Sequence, residues 1–96
     1  MPGLDEIIHQ SMRLRIMTSL NVLKKEEWIE FVRLKSLVEA SDGNLGAHLD
    51  TLARANYVEI DKQFVGKKPQ TRIRATTQGR NAFKHHVTAL RNLLDM

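Results

Sequence analysis

The stretch SDGNLGAHLDTL, residues 41–52, combines a helical pattern with two glycines. Leu45, Leu49 and Leu52 recur at the i, i+4, i+7 spacing of one helix face. Ser41 is a residue type that caps helix starts, and Asn56 is a type that tolerates the left-handed conformation after a helix end. Because each glycine costs a helix roughly 1 kcal/mol relative to alanine, the pattern predicts a helix over 42–55 whose outer face is kept small.

That outer face is polar as well as small when the leucines are turned inward. Asn44 and Thr51 can hydrogen-bond to base edges, and asparagine suits adenine. The amides at the start of the helix can bind a phosphate. Asp42 and Asp50 repel phosphate unless they pair internally or accept from a cytosine amino group. A loose, solvated helix start remains the alternative interpretation.

The rest of the chain predicts one order of elements: helix, short strand, helix, helix, strand, basic turn, strand, helix. The short strand, which could also be a loop, contains Trp28, a predicted core or dimer anchor. Two helices joined by a short turn and followed by a hairpin define a winged helix-turn-helix, an α+β fold that is mainly α. The expected segments are a helix over 5–22 capped by Asp5, a helix over 30–39, strands over 57–62 and 71–75 around the turn 66–69, and a helix over 78–95 capped by Thr77.

Composition narrows the class of protein. The 96 residues predict one domain over 1–96, and the chain contains no cysteine, which excludes disulfides and thiolate metal sites. The four histidines are scattered, so neither a metal nor a cofactor is expected, and no catalytic set supports an enzyme. With no apolar run of about 20 residues and no secretion signal, we expect a cytoplasmic protein that does not bind membranes.

Charge is unevenly distributed along the chain. Residues 61–84 hold seven basic side chains and one acidic, whereas residues 1–60 hold seven basic and nine acidic. Such a basic segment is typical of a polyanion-binding surface. A solvated charged loop is the alternative.

Three segments carry a resemblance to a known family: RLRIMTSL at 13–20, FVRLKSLVEASDGNLGAHLDTLARANYVEIDKQF at 31–64 and GKKPQTRIRATTQGRNAF at 66–83. They resemble the small winged helix DNA-binding regulators of archaea and bacteria, single-domain relatives of the MarR-like and ArsR-like repressors. The resemblance implies a homodimer that places two recognition helices in successive major grooves. It also implies that the hairpin wing reaches the minor groove or backbone, and that the first and last helices form the dimer.

The resemblance implies a recognition helix at 42–55 and a wing at about 57–76. Together with the residue patterns, it predicts DNA contacts at Ser41, Asn44, Gly46, Ala47, His48, Thr51, Arg54, Lys62, Lys67, Lys68, Gln70 and Arg72. The predicted dimer contacts are Ile8, Met12, Ile16, Phe83, Val87, Leu90 and Leu94.

A second class of function stays open from the sequence. The same face and wing could dock on an acidic protein partner without sequence-specific DNA binding, since two aspartates lie near the face. The sequence also leaves a small-molecule effector open as a further partner.

Overall fold

The computed structural model describes residues 3–96. Four helices combine with a three-stranded antiparallel sheet, as the winged helix prediction requires. The elements are α1 Ser11–Asn21, β1 Ile29–Glu30, α2 Phe31–Val38, α3 Asp42–Arg54, β2 Val58–Val65, β3 Lys68–Ala75 and α4 Thr77–Leu94. Within residues 3–96 no helix is both long and apolar enough to span a membrane.

The sheet has the order β1-β3-β2. β2 and β3 pair along their full length, from Val58 opposite Ala75 to Val65 opposite Lys68. β1 adds only two residues beside the base of the hairpin. The outer half of the hairpin therefore projects from the body as the wing, and its strands continue further toward the tip than the alternation in the sequence indicated.

The core lies between the three N-terminal helices and the base of the sheet. The leucines of α3 predicted to face inward are fully buried there or nearly so. Asn56 has a φ of 63° and ends α3 in the left-handed conformation, as its residue type predicted. The buried apolar residues are Ile8, Ile16, Met17, Leu20, Ile29, Leu34, Val38, Leu45, Leu49, Leu52, Val58, Ile73 and Ala75.

The first helix is shorter than predicted. α1 begins at Ser11, and the side chain of Gln10 caps it by accepting from the amide of Arg13 at 2.9 Å. Asp5 instead caps a separate turn over 6–9, accepting from the amides of Ile7 and Ile8. The apolar periodicity continues through this turn, which is why the sequence did not separate it from the helix.

Asp5 also joins this N-terminal turn to two other elements. Its carboxylate accepts from the hydroxyl of Tyr57, and its amide donates to Nδ1 of the buried His86 at 3.0 Å. Burial and this hydrogen bond raise the pKa of Tyr57 to about 12. The ring of His9, which is distant from His86 in the sequence, lies 5.5 Å from the ring of His86.

The last helix begins one residue earlier than predicted. Thr76, not Thr77, is its cap, and the Thr76 hydroxyl accepts from the amide of Gly79 at 2.8 Å. The amide of Thr76 donates to the carbonyl of Tyr57, so the start of α4 lies directly against the start of β2. Gly79 is buried at this crossing, where a Cβ atom would overlap the Tyr57 carbonyl.

Candidate nucleic-acid interface

The outer face of α3 is open and low. A Cβ atom built on Gly43 or Gly46 would meet nothing within 4 Å, so neither glycine is needed for packing inside the chain. Ala47 is exposed beside them. The glycines therefore lower the helix propensity of α3 without improving the packing inside the chain. Because they lack side chains, another molecule can approach this helix surface closely.

The polar residues of this face are placed in different ways. Ser41 uses its hydroxyl to cap α3 by accepting from the Asn44 amide at 3.1 Å. The exposed side chain of Asn44 makes no hydrogen bond within the described chain. The Thr51 hydroxyl donates to the carbonyl of Ala47 at 3.3 Å, which leaves its oxygen as an acceptor. Arg54 is exposed at the end of the helix.

His48 of α3 is contacted by an arginine side chain of another helix. Nη1 of Arg13, in α1, lies 3.2 Å from His48 Nδ1. Because an arginine only donates, Nδ1 must accept, and the neutral ring carries its proton on Nε2. Burial, and then the charge of Arg13, lower the pKa of His48. This contact was not predictable from the sequence, since α1 and α3 meet only in the folded chain.

The two aspartates near the face behave differently. Asp42 pairs with Nζ of Lys35 at 2.7 Å, so its charge is offset by α2. Asp50 forms no ion pair among residues 3–96. With Gly46 it lines a cleft of about 300 Å³, to which β2 contributes Lys62 and β3 contributes Thr71. The cleft joins the outer face of α3 to the wing.

The lysines of the wing are exposed. Lys62, Lys67 and Lys68 form no ion pair with any residue that the structure describes. The chain reverses between the strands at Gly66, whose φ of 65° is in the left-handed region that favours glycine. The tip is therefore basic and narrow.

Two predicted wing contacts are occupied within the hairpin. Nε of Arg72 donates to Asp61 on the paired strand at 2.8 Å, and its guanidinium lies 4.3 Å from the centre of the Trp28 ring. Gln70 accepts from the side-chain amide of Gln63 at 2.8 Å. Arg72 is therefore held on the outer face of the hairpin, and its predicted phosphate contact stays a prediction. Trp28 is half-buried on that face, beside Arg72 and Arg74, and is not a core anchor.

The residues predicted to form the dimer contact differ in how far they are exposed. Ile8 and Ile16 are fully buried in the core of the single chain, so they offer no surface to a second copy. Their helical spacing indicated that they are buried, but not whether their own chain or a second copy buries them. Met12, Phe83, Val87 and Leu90 are half-buried, and Leu94 is 74% exposed.

Within residues 3–96, no group of three or more histidine, aspartate or glutamate side chains is arranged to hold a metal ion. The candidate site thus consists of an open helix face, a cleft and a basic hairpin tip. A helix-turn-helix whose second helix presents such a face, with a wing beside it, is the arrangement of a DNA-binding module.

Comparison with known proteins places the chain within one family. Residues 12–94 match the family model described as a winged helix DNA-binding domain, and the chain belongs to that family. An uncharacterized protein of Methanocaldococcus jannaschii is 34% identical over 82 residues, covering 85% of this chain and 86% of its own length.

Solved structures agree with this assignment. The structure of a transcriptional regulator homologue from Pyrococcus horikoshii superposes with a TM-score of 0.82 at 25% identity, covering 93% of this chain and 85% of its own. A protein of Methanosarcina mazei, described as a possible transcriptional regulator, has a TM-score of 0.60 at 16% identity and covers 90% of this chain and 72% of its own. The second likeness is one of fold alone.

Proposed function

We propose that the protein is a transcriptional regulator that binds DNA as a homodimer, with α3 in the major groove and the wing on the minor groove or backbone. The observation that carries this proposal is the cleft that joins Gly46 of α3 to Lys62 of the wing. This cleft joins the open face of α3 and the basic hairpin into one continuous surface. Membership in a family of DNA-binding domains and the likeness to the Pyrococcus regulator homologue support it.

In this proposal the two parts of the surface have different tasks. Exposed lysines of the wing contact phosphates, which supplies affinity without reading sequence. Asn44 and the small neighbours of Gly46 approach base edges, which supplies sequence choice. His48 donates from Nε2, the ring atom that the Arg13 contact leaves protonated.

The dimer is proposed on the surface left uncovered along α4. Val87 and Leu90 are only half-buried in the single chain, and Leu94 continues their line in the exposed last turn of the helix. A closed two-fold contact through these helices would bury that apolar strip. Sedimentation of Leu94→Glu should show a shift toward monomer, whereas Leu37→Glu, at an exposed leucine of α2, should leave the association unchanged.

Docking on a protein partner is the second candidate function. The observation in its favour is Asp50, which is exposed, lines the cleft and has no ion-pair partner in the described chain. A carboxylate there opposes a phosphate unless it accepts from a cytosine amino group. Titration of random duplex DNA at low salt separates the candidates, because absence of binding would leave only the protein partner.

The proposal is tested by fluorescence anisotropy with duplexes selected from a random pool. The double change Lys67→Ala and Lys68→Ala should weaken binding to all sequences and flatten the salt dependence by about two phosphate contacts. The matched control is Lys24→Ala with Lys25→Ala, which removes the same charge from the exposed turn after α1. Asn44→Ala should instead reduce discrimination between selected and random duplexes. Equal binding by all variants would overturn the assignment of the surface.

A further inference from the structure

The tip of the wing carries two exposed apolar side chains that the DNA contacts above do not use. Phe64 is 74% exposed and Val65 is 57% exposed. Both lie at the end of β2, directly before the reversal at Gly66. β1 does not reach this end of the hairpin, and a large apolar ring exposed there is a candidate contact for another molecule.

Strand alternation decides which way Phe64 faces. Successive side chains point to opposite faces, so Phe64 shares a face with Val58, Ile60 and Lys62. Val58 is in the core, and Ile60 and Lys62 line the cleft beside α3. The phenylalanine therefore continues the same face outward and lies on the α3 side of the hairpin, opposite Pro69 of β3.

The charge around Phe64 selects the kind of partner. Residues 62–71 contain three lysines and no acidic residue. A second copy meeting tip to tip would bring these lysines together, whereas a polyanion would be attracted by them. Addition of a further strand is also opposed, since Pro69 lies in the wing where β1 no longer covers β3, and proline supplies no donor there.

We propose that Phe64 is an apolar wedge that enters the minor groove of bound DNA, while Lys67 and Lys68 hold the flanking phosphates. This rests on the proposed function and names the contact that the wing makes. Apolar side chains inserted from the minor groove partly unstack a base step and bend the duplex. Phe64 acts on DNA shape, and it does so without a hydrogen bond to any base.

The test uses the full chain and a selected duplex carrying 2-aminopurine at successive steps flanking the α3 half-site. Wild-type protein should raise the 2-aminopurine fluorescence at one step, because the probe brightens when it unstacks. Phe64→Ala should abolish that rise and weaken binding about tenfold, in line with the contribution of one aromatic contact to a base. Phe64→Leu should retain most of both effects, since leucine is also an apolar wedge. Val22→Ala, at a residue 81% exposed at the end of α1, should change neither.

Each other outcome has a separate meaning. If Phe64→Ala keeps full affinity and the fluorescence rise while the Lys67 and Lys68 double variant loses affinity, the wedge is wrong and the DNA-binding function stands. If Phe64→Ala instead changes the sedimentation of the free protein and leaves the bound duplex unaltered, the ring contacts a second copy and the wedge is again wrong. If no duplex binds wild-type protein at low salt, the proposed function itself fails.

Discussion

Helices α3 and α4 begin in the same way and use glycine for opposite purposes. Ser41 caps one and Thr76 caps the other, each through a hydroxyl that accepts from the amide three residues later. Gly79 of α4 is buried against the Tyr57 carbonyl, where a Cβ atom would overlap it. Gly43 and Gly46 of α3 face open space. The buried glycine lets α4 contact its own chain, whereas in our proposal the open glycines let DNA approach α3.

Replacing Gly79 by alanine should have the largest effect, because the added methyl group meets backbone and not a movable side chain. We expect a loss of about 3 kcal/mol of unfolding free energy, the upper end of the usual cost of overpacking. Urea unfolding followed by circular dichroism measures it. A loss below about 1 kcal/mol would mean that α4 can shift away from β2 at little cost.

Arg80, the next residue of α4, also makes contacts within its own chain. Its Nη2 lies 3.0 Å from the Lys24 carbonyl and 3.1 Å from the Leu23 carbonyl, at the end of α1. Arg80→Met keeps the apolar stem and removes the donors, so we expect a loss of about 2 kcal/mol. Arg91→Met, on the exposed side of α4, is the matched control in the same unfolding assay. Equal midpoints for the two variants would argue against this capping role.

Gly43→Ala and Gly46→Ala should act in the opposite direction. Each places a methyl group in open space and improves helix propensity, so the fold should gain up to about 1 kcal/mol. DNA binding should weaken at the same time, most for Gly46→Ala, because the residue lines the cleft toward the wing. If Gly46→Ala stabilised the chain and left the anisotropy titration unchanged, the low face would have no role in binding.

The smallest effect at neutral pH concerns His86, on the buried side of α4. Burial, and then the neighbouring His9, lower the pKa of His86 below its ordinary value of 6.5. The unfolded chain therefore binds the proton more readily than the folded chain does. The contribution of neutral His86 to the free energy of unfolding is complete above pH 6.5 and is lost as the pH falls below that value. Protonation would also remove the acceptor that Nδ1 offers to the Asp5 amide.

Urea midpoints measured from pH 7.5 down to pH 5 test this. Wild-type protein and His85→Gln, at the exposed neighbour, should weaken over the acid part of the range. His86→Gln should weaken less with acid, even if it is less stable throughout. Parallel curves for all three proteins would exclude His86 as the acid-sensitive group.

Much of the fold was predictable because local patterns determine it. The leucines of α3, its Ser41 cap and the left-handed end at Asn56 were all visible in the sequence, and each is confirmed. Thr76 and Thr77 could not be separated by type, since both are good caps. The choice depends on the hydrogen bond from the Thr76 amide to Tyr57, a contact between distant parts of the chain.

The candidate site was less predictable, for a related reason. A basic residue in a wing has the same residue type whether it is free or paired, and only the register shows that Arg72 lies opposite Asp61. Likewise, apolar spacing predicted that Ile8 and Ile16 are buried but could not say by which surface. Composition emphasised the lysines of the wing and left Phe64 unnoticed, because exposure appears only in the folded hairpin.

The contrast between the two helices is tested most directly by amide chemical shifts of the labelled protein, recorded as a selected duplex is added. We predict that the largest changes fall in α3 and at the wing tip, over residues 41–54 and 62–70. Residues 79–86 of α4 should change little. Large changes confined to α4, with α3 and the wing unaltered, would contradict the account.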